Sequence, residues 1–253
     1  MTFLRGGRKT KLFIGLASAF LVLTLIFLGC GIYLGDYYKA NEDEIAAFDV
    51  MNQVEYEVVE NGNVVFWPKD RETDVGFIFY PGGKVEKEAY KPLMASLAVK
   101  GVLCILVDMP YNLAILDINA AEGITKQFKQ INEWYIGGHS LGGAASSMYL
   151  EKNSKDYKGL VLLGAYSTSD LSSTDLRVLS VYGSEDLVMD RNKYEECRSN
   201  LPKGYTERVL EGGCHGYFGV YGAQAGDGTP SISNEDQIYL TSDIICEFIF
   251  EKE

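Results

Sequence analysis

Histidine is scarce in this chain: His139 and His215 are the only two in 253 residues, so any imidazole chemistry has two possible sources. The five cysteines, Cys30, Cys104, Cys197, Cys214 and Cys246, form no CxxC pair and match no zinc spacing. Their odd number excludes a complete disulfide framework; one bridge, Cys197 to Cys214, is the alternative to free thiols, which are the expectation. Basic residues are outnumbered, 23 Lys and Arg against 35 Asp and Glu, and the formal net charge is −12. A surface of that sign repels a phosphate backbone, so nucleic acid is not an expected partner. No repeat of about 20 to 50 residues and no low-complexity segment is present, which excludes a solenoid or propeller. What the chain has is apolar residues, 47% of the total, enough for a real core.

One long apolar run stands apart. Residues 12–34 carry no charge over 23 positions, and a helix of that length, at about 1.5 Å per residue, crosses a hydrocarbon core of about 30 Å. Arg5, Arg8, Lys9 and Lys11 precede it, and Asp36, Lys39, Glu42, Asp43 and Glu44 follow. That asymmetry predicts a basic cytoplasmic segment over 1–11, a transmembrane anchor over 12–34 and the remainder outside the cytoplasm. A cleaved signal peptide is the rival, but no small-x-small site stands out. A lipoprotein signal ending at Cys30 is a second rival, and the apolar run continues past that cysteine. Residues 35–53 read as a polar, partly helical linker, leaving 54–253 as the catalytic-sized domain.

Within 54–253, apolar runs alternate with helical spacings. Residues 54–59 and 64–67 flank Asn61-Gly62, a hairpin signal. Strands are predicted at 75–80, 102–107, 134–138, 160–163, 177–182 and 207–210, the first two of them buried. Helices are predicted at 86–100, 112–121, 144–151, 190–198 and 235–250. This order predicts an α/β fold: a mostly parallel central sheet with helices on both faces and an antiparallel edge. About a dozen residues, 165–176, separate the fourth strand of the parallel set from the fifth, too few for a cap domain.

The chemistry centres on Gly138-His139-Ser140-Leu141-Gly142, a G-x-S-x-G. An apolar strand enters it and a helix rich in small residues leaves it, the setting in which a serine nucleophile is exposed on a sharp turn. A serine hydroxyl needs a base. His139 lies inside the turn and points away from Ser140, so His215, in a glycine-rich loop after the last strand, is the candidate. The base needs an orienting acid. Asp186 in Tyr182-Gly183-Ser184-Glu185-Asp186 is the choice, with Glu185 and Asp190 as runners-up. An oxyanion needs backbone donors; Leu141, directly after the serine, and Gly83 of Pro81-Gly82-Gly83-Lys84 are expected to supply them. The loop 216–228 is too long and glycine-rich for a plain turn and reads as a substrate-side loop, with Tyr217 and Phe218 as candidate substrate contacts. It lacks a Lys-Ser/Thr for a phosphate loop and EF-hand ligand spacing for calcium, so no metal site is expected.

These four segments, Tyr80-Pro81-Gly82-Gly83, the serine turn with Gly143, the Asp186 turn and Gly213-Cys214-His215-Gly216, resemble the α/β-hydrolase superfamily. The resemblance covers about residues 54–250 and is nearest to small bacterial dienelactone-hydrolase-like and esterase-like members. Many members have His-Gly where this chain has Pro81-Gly82. Dienelactone hydrolases themselves use cysteine, so Ser140 points to esterase-type chemistry. The resemblance implies hydrolysis of a small-molecule or lipid carboxylic ester through an acyl-enzyme, with no cofactor. The alternatives are an acyltransferase or peptidase with the same triad, or a surface binding module that kept the fold.

Overall fold

The computed structural model describes residues 8–69 and 72–251. The chain separates into two units, the first ending at Tyr37 and the second beginning at Tyr38. In the first, α1 (Arg8–Gly35) contains an apolar stretch, Leu12–Gly35, of 24 residues with mean hydropathy 2.5, long and apolar enough to cross a membrane.

In the second unit, α2 (Glu42–Ala47) is followed by β1 (Glu55–Val58), β2 (Val64–Trp67), β3 (Val75–Tyr80), α3 (Lys91–Val99), β4 (Leu103–Leu106), α4 (Ile124–Gln127), β5 (Glu133–His139), α5 (Leu141–Asn153), β6 (Gly159–Leu163), β7 (Arg177–Gly183), α6 (Arg191–Cys197), β8 (Thr206–Leu210) and α7 (Asn234–Phe250). The strands form one sheet in the order β1-β2-β4-β3-β5-β6-β7-β8. β1 and β2 pair antiparallel, and β2 joins β4 antiparallel; every pairing from β4 to β8 is parallel. The expected fold class is therefore the observed one. Gly62, with φ 85°, supplies the left-handed residue that the β1–β2 turn requires.

The central strands are buried on both faces, which is why β3, β4 and β6 read as continuous apolar runs, while the edge strand β1 is exposed. Alternate residues divide between two cores. Phe77 and Phe79 pack with Leu93, Met94 and Leu97 of α3 and Ile238 and Ile245 of α7. Ile78 and Tyr80 pack with Ala145, Tyr149 and Leu150 of α5. All five cysteines are free, and Cys104, Cys214 and Cys246 are buried.

Two stretches differ from the sequence expectation. Residues 112–121 form no α-helix; 3-10 turns at Pro110–Asn112 and Ala114–Leu116 replace it. Tyr111 and Asn112 sit in the left-handed region at φ 54° and 55°, which breaks any helix there, and the Asn112 carbonyl accepts from the Lys84 amide. Residues 38–52, read as a linker, pack into the second unit. Ile45, Phe48 and Val50 are buried in its core, and Asn41 caps α2 through its side chain. Tyr38 pairs with Val85 as an isolated bridge.

A chain starting at Asp36 should therefore fold and stay in solution, whereas one starting at Val54 should be destabilised by about 2 kcal/mol for each of Ile45, Phe48 and Val50. Urea unfolding of the two truncations, followed by tryptophan fluorescence, measures the difference; equal midpoints would contradict the packing described.

Candidate active site

β5 runs into Ser140, whose backbone stands at φ 52°, ψ −121°. A non-glycine residue held there stores strain of about 1 to 3 kcal/mol, and the turn persists because its neighbours over-determine it. The Ser140 amide donates to the Leu163 carbonyl at 2.9 Å, extending the β5–β6 ladder to the turn itself. The start of α5 then passes so close to β3 that a Cβ on Gly142 would lie 2.1 Å from the Tyr80 carbonyl oxygen. The serine turn is thus wedged between two neighbouring strands, and its glycines are a packing requirement.

His215 lies on the loop after β8 and Asp186 on the loop after β7, adjacent strands in the sheet. His215 Nδ1 and Asp186 Oδ2 are 2.8 Å apart, with both side chains at most 1% exposed. The other oxygen, Oδ1, accepts from the Val188 and Met189 amides at 3.0 and 2.9 Å. Both oxygens of a buried carboxylate are therefore occupied, and the ring orientation follows from them. The runners-up are engaged elsewhere: Asp190 caps α6 and Glu185 accepts from the Ser184 hydroxyl. The pair sits over Gly164, the residue after the Leu163 that bonds Ser140. Gly164 is left-handed at φ 51°, and a Cβ there would lie 2.9 Å from His215 Nδ1. With Nδ1 turned to Asp186, His215 Nε2 is buried and without a hydrogen-bond partner.

The two residues expected to supply backbone donors, Gly83 and Leu141, are neighbours in the structure. A Cβ on Gly83 would lie 2.8 Å from the Leu141 side chain. Neither the Gly83 amide nor the Leu141 amide has a hydrogen-bond partner among the described residues. The Gly82 amide is taken; it donates to the Tyr90 hydroxyl at 3.1 Å.

Several supporting residues carry no sequence signal. Tyr90 Oη is 2.8 Å from His139 Nδ1, so the second histidine is tied to the loop bearing Gly82 and Gly83. The His139 ring packs at 4.5 Å against His215 and at 5.4 Å against Phe218. Burial, and then the neighbouring His215, hold the His139 pKa well below the ordinary imidazole value; the His215 backbone opposes this in part without reaching hydrogen-bond geometry. Phe218, expected on the substrate side, is wholly buried and belongs to the core beneath the histidines. Tyr217 is half-buried, and its carbonyl accepts from Asn234 Nδ2. Asp227 lies in the 216–228 loop and belongs to none of the sequence motifs. In the structure its Oδ2 accepts from the Gly216 amide at 2.8 Å, and its Oδ1 from the amides of Gly228, His215 and Leu187 at 2.9, 3.2 and 3.4 Å. Gln237 of α7 brackets Cys214, accepting from its amide and donating to its carbonyl. Burial foremost, then the Asp227 charge, pushes the Cys214 thiol up to about 12, so it stays protonated beside the site. No group of three or more metal-ligating side chains occurs among the described residues.

A serine on a strained strand–helix turn, a buried His–Asp pair from the loops after β7 and β8 and two amides without partners define a class, the α/β hydrolases. A family model described as the alpha/beta hydrolase family matches residues 76–239, and the chain belongs to that family. Solved structures with the same fold include Est1E from Butyrivibrio proteoclasticus, 14% identical with TM-score 0.55, covering 79% of this chain and 100% of that one. Est1E has also been solved with ferulic acid bound. A dienelactone hydrolase from Anabaena variabilis is 14% identical with TM-score 0.57, covering 78% and 97%. A predicted CIB-like hydrolase from Thermoplasma acidophilum is 17% identical with TM-score 0.52, covering 77% and 98%. No curated protein matches the chain in sequence.

The lowered pKa of His139 gives a test of its burial. Its folded value lies below its unfolded value of about 6.5, so the unfolded state binds the extra proton and stability falls as pH drops below about 6.5. His139→Gln should flatten the stability–pH curve there by the slope of one proton, about 1.4 kcal/mol per pH unit. Chemical unfolding between pH 5 and 7 (about the window the shift defines) reads this; parallel curves for the two proteins would refute it.

Proposed function

We propose that this chain is a serine hydrolase of carboxylic esters, held in a membrane by α1 with its catalytic unit outside the cytoplasm. The observation that carries the reading is the buried His215–Asp186 bond seated beside the strained Ser140 turn. Family membership supports hydrolase chemistry in general. Ser140 over cysteine, the partner-free Gly83 and Leu141 amides and the bound ferulic acid in Est1E support an ester as the bond cleaved.

In this reading the Ser140 hydroxyl attacks the ester carbonyl while His215 Nε2 takes its proton. Asp186 holds the ring in the tautomer with the proton on Nδ1 and stabilises the imidazolium that forms. The Gly83 and Leu141 amides donate to the oxyanion of the tetrahedral intermediate. His215 then protonates the departing alcohol, leaving an acyl group on Ser140. Water, deprotonated by the same nitrogen, releases the acid and restores the serine. The reaction needs no metal or cofactor. Tyr217 stands on the substrate side. The basic residues at the N-terminal end of the apolar stretch Leu12–Gly35, and the excess of acidic over basic residues that follows it, support the orientation.

Ser140→Ala should abolish labelling by a fluorophosphonate and lower ester turnover by about 10³-fold or more, with the fold retained. His215→Gln should do the same to turnover, and His139→Gln should leave a measurable enzyme. Labelling of the Ser140→Ala protein at the wild-type level would sink the assignment. A dead His139 variant beside an active His215 variant would reverse the roles of the two histidines.

A further inference from the structure

Three features meet at Lys84, the residue after Gly83. The first is the attachment of the chain that follows α1. The Tyr38 amide donates to the Lys84 carbonyl at 2.7 Å, and the Glu86 amide donates to the Tyr38 carbonyl at 3.0 Å. The same segment reaches the loop bearing His215. The Asn41 amide donates to the Val220 carbonyl at 2.9 Å, the Ala225 amide to the Tyr38 hydroxyl at 3.0 Å, and the Tyr38 ring packs on Tyr221. Asp36 and Tyr37 alone stand between Gly35, where α1 ends, and Tyr38. A connector of two residues reaches about 11 Å at full stretch.

The second feature is the loop 109–121. The Lys84 amide donates to the Asn112 carbonyl at 2.7 Å, and the buried Tyr80 hydroxyl donates to the Ile118 carbonyl and accepts from the Ala121 amide. Pinned at both ends, the loop holds Tyr111 and Asn112 in strained left-handed backbone. The third feature is what the loop displays: Tyr111, Ile115 and Leu116 are 65%, 43% and 54% exposed. Across the serine turn Leu187, next to Asp186, is 72% exposed. Apolar side chains thus stand on both flanks of the carboxyl edge of the sheet, beside the point where the chain arrives from α1. Strain that serves only to turn apolar groups toward water has no stabilising return, whereas the same groups are favoured in the boundary between headgroups and acyl chains.

We propose that the loop edge around Ser140 lies on the bilayer surface, with Tyr111, Ile115 and Leu116 dipping into it, and that the substrate is an ester of a membrane amphiphile drawn directly from the lipid phase. The proposal rests on the membrane-anchored hydrolase reading and commits it to one source of substrate. Substrate drawn from the bilayer at that edge brings its ester carbonyl between Ser140 and the Gly83 amide.

The test uses the full chain reconstituted in phosphatidylcholine vesicles. Leu116→Trp should show emission quenched by brominated phosphatidylcholine beyond that of native Trp67 and Trp134, while Lys203→Trp, at the opposite end of the sheet, should add none. This readout needs no activity. The variant carrying Ile115→Asp and Leu116→Asp should hydrolyse vesicle-borne 4-methylumbelliferyl oleate at least about tenfold more slowly, the factor that loss of one buried apolar side chain supplies. Its rate on water-soluble 4-nitrophenyl acetate should be that of wild type. Unquenched Leu116→Trp, or an equal loss on both esters, overturns the proposal. No turnover of either ester together with no fluorophosphonate labelling overturns the serine-hydrolase reading instead, and the quenching result then still decides where the loop edge lies.

Discussion

The hydrogen bond between His215 and Asp186 sets the terms for everything around it. A buried carboxylate is tolerable only when its lone pairs are filled, and here the ring takes one oxygen and two amides of its own turn take the other. The ring can reach it because β7 and β8 are neighbours whose ends are in register, Gly183 opposite Leu210. It can lie flat over the sheet only because Gly164 has no side chain. The parallel sheet, the two loop lengths and one glycine are thus all bound to a single contact of 2.8 Å.

Two imidazoles packed at 4.5 Å cannot both take a proton cheaply. Their surroundings keep them apart. His139 has a tyrosine hydroxyl on one nitrogen and apolar rings about it, with its pKa driven down. His215 has a carboxylate. In the proposed chemistry only His215 changes charge, and the neutral ring beside it adds no repulsion when it does. The histidine inside the serine turn therefore acts as a wall of the site and as a tie to the loop of Gly82 and Gly83.

The fold was legible because its signals are local. Five apolar runs and the Asn61-Gly62 turn mark elements within a few residues of themselves. The serine turn was legible for the same reason. The sequence left three acids after β7, with Asp186 preferred, and the geometry separates it from Glu185 and Asp190 by what each carboxylate accepts. What escaped were contacts made across the chain. Asp227 acts on amides 40 and 12 residues away, and Tyr38 on one 187 residues away. Phe218 looked like a loop aromatic and is core, because the loop folds back under the histidines. The sequence predicts a helix over 112–121, but the left-handed pair at Tyr111 and Asn112 is fixed by a tertiary hydrogen bond that no local propensity encodes.

Asp227 has a consequence for how the site comes apart. One carboxylate accepts from amides on both sides of the His215–Asp186 bond, Leu187 on one loop and His215 and Gly216 on the other. Neither loop can fray alone without leaving that charge partly unsatisfied, so the two open as one cooperative unit. Their amides then exchange with solvent at a common rate, set by the opening of the pair and not by the exposure of either loop.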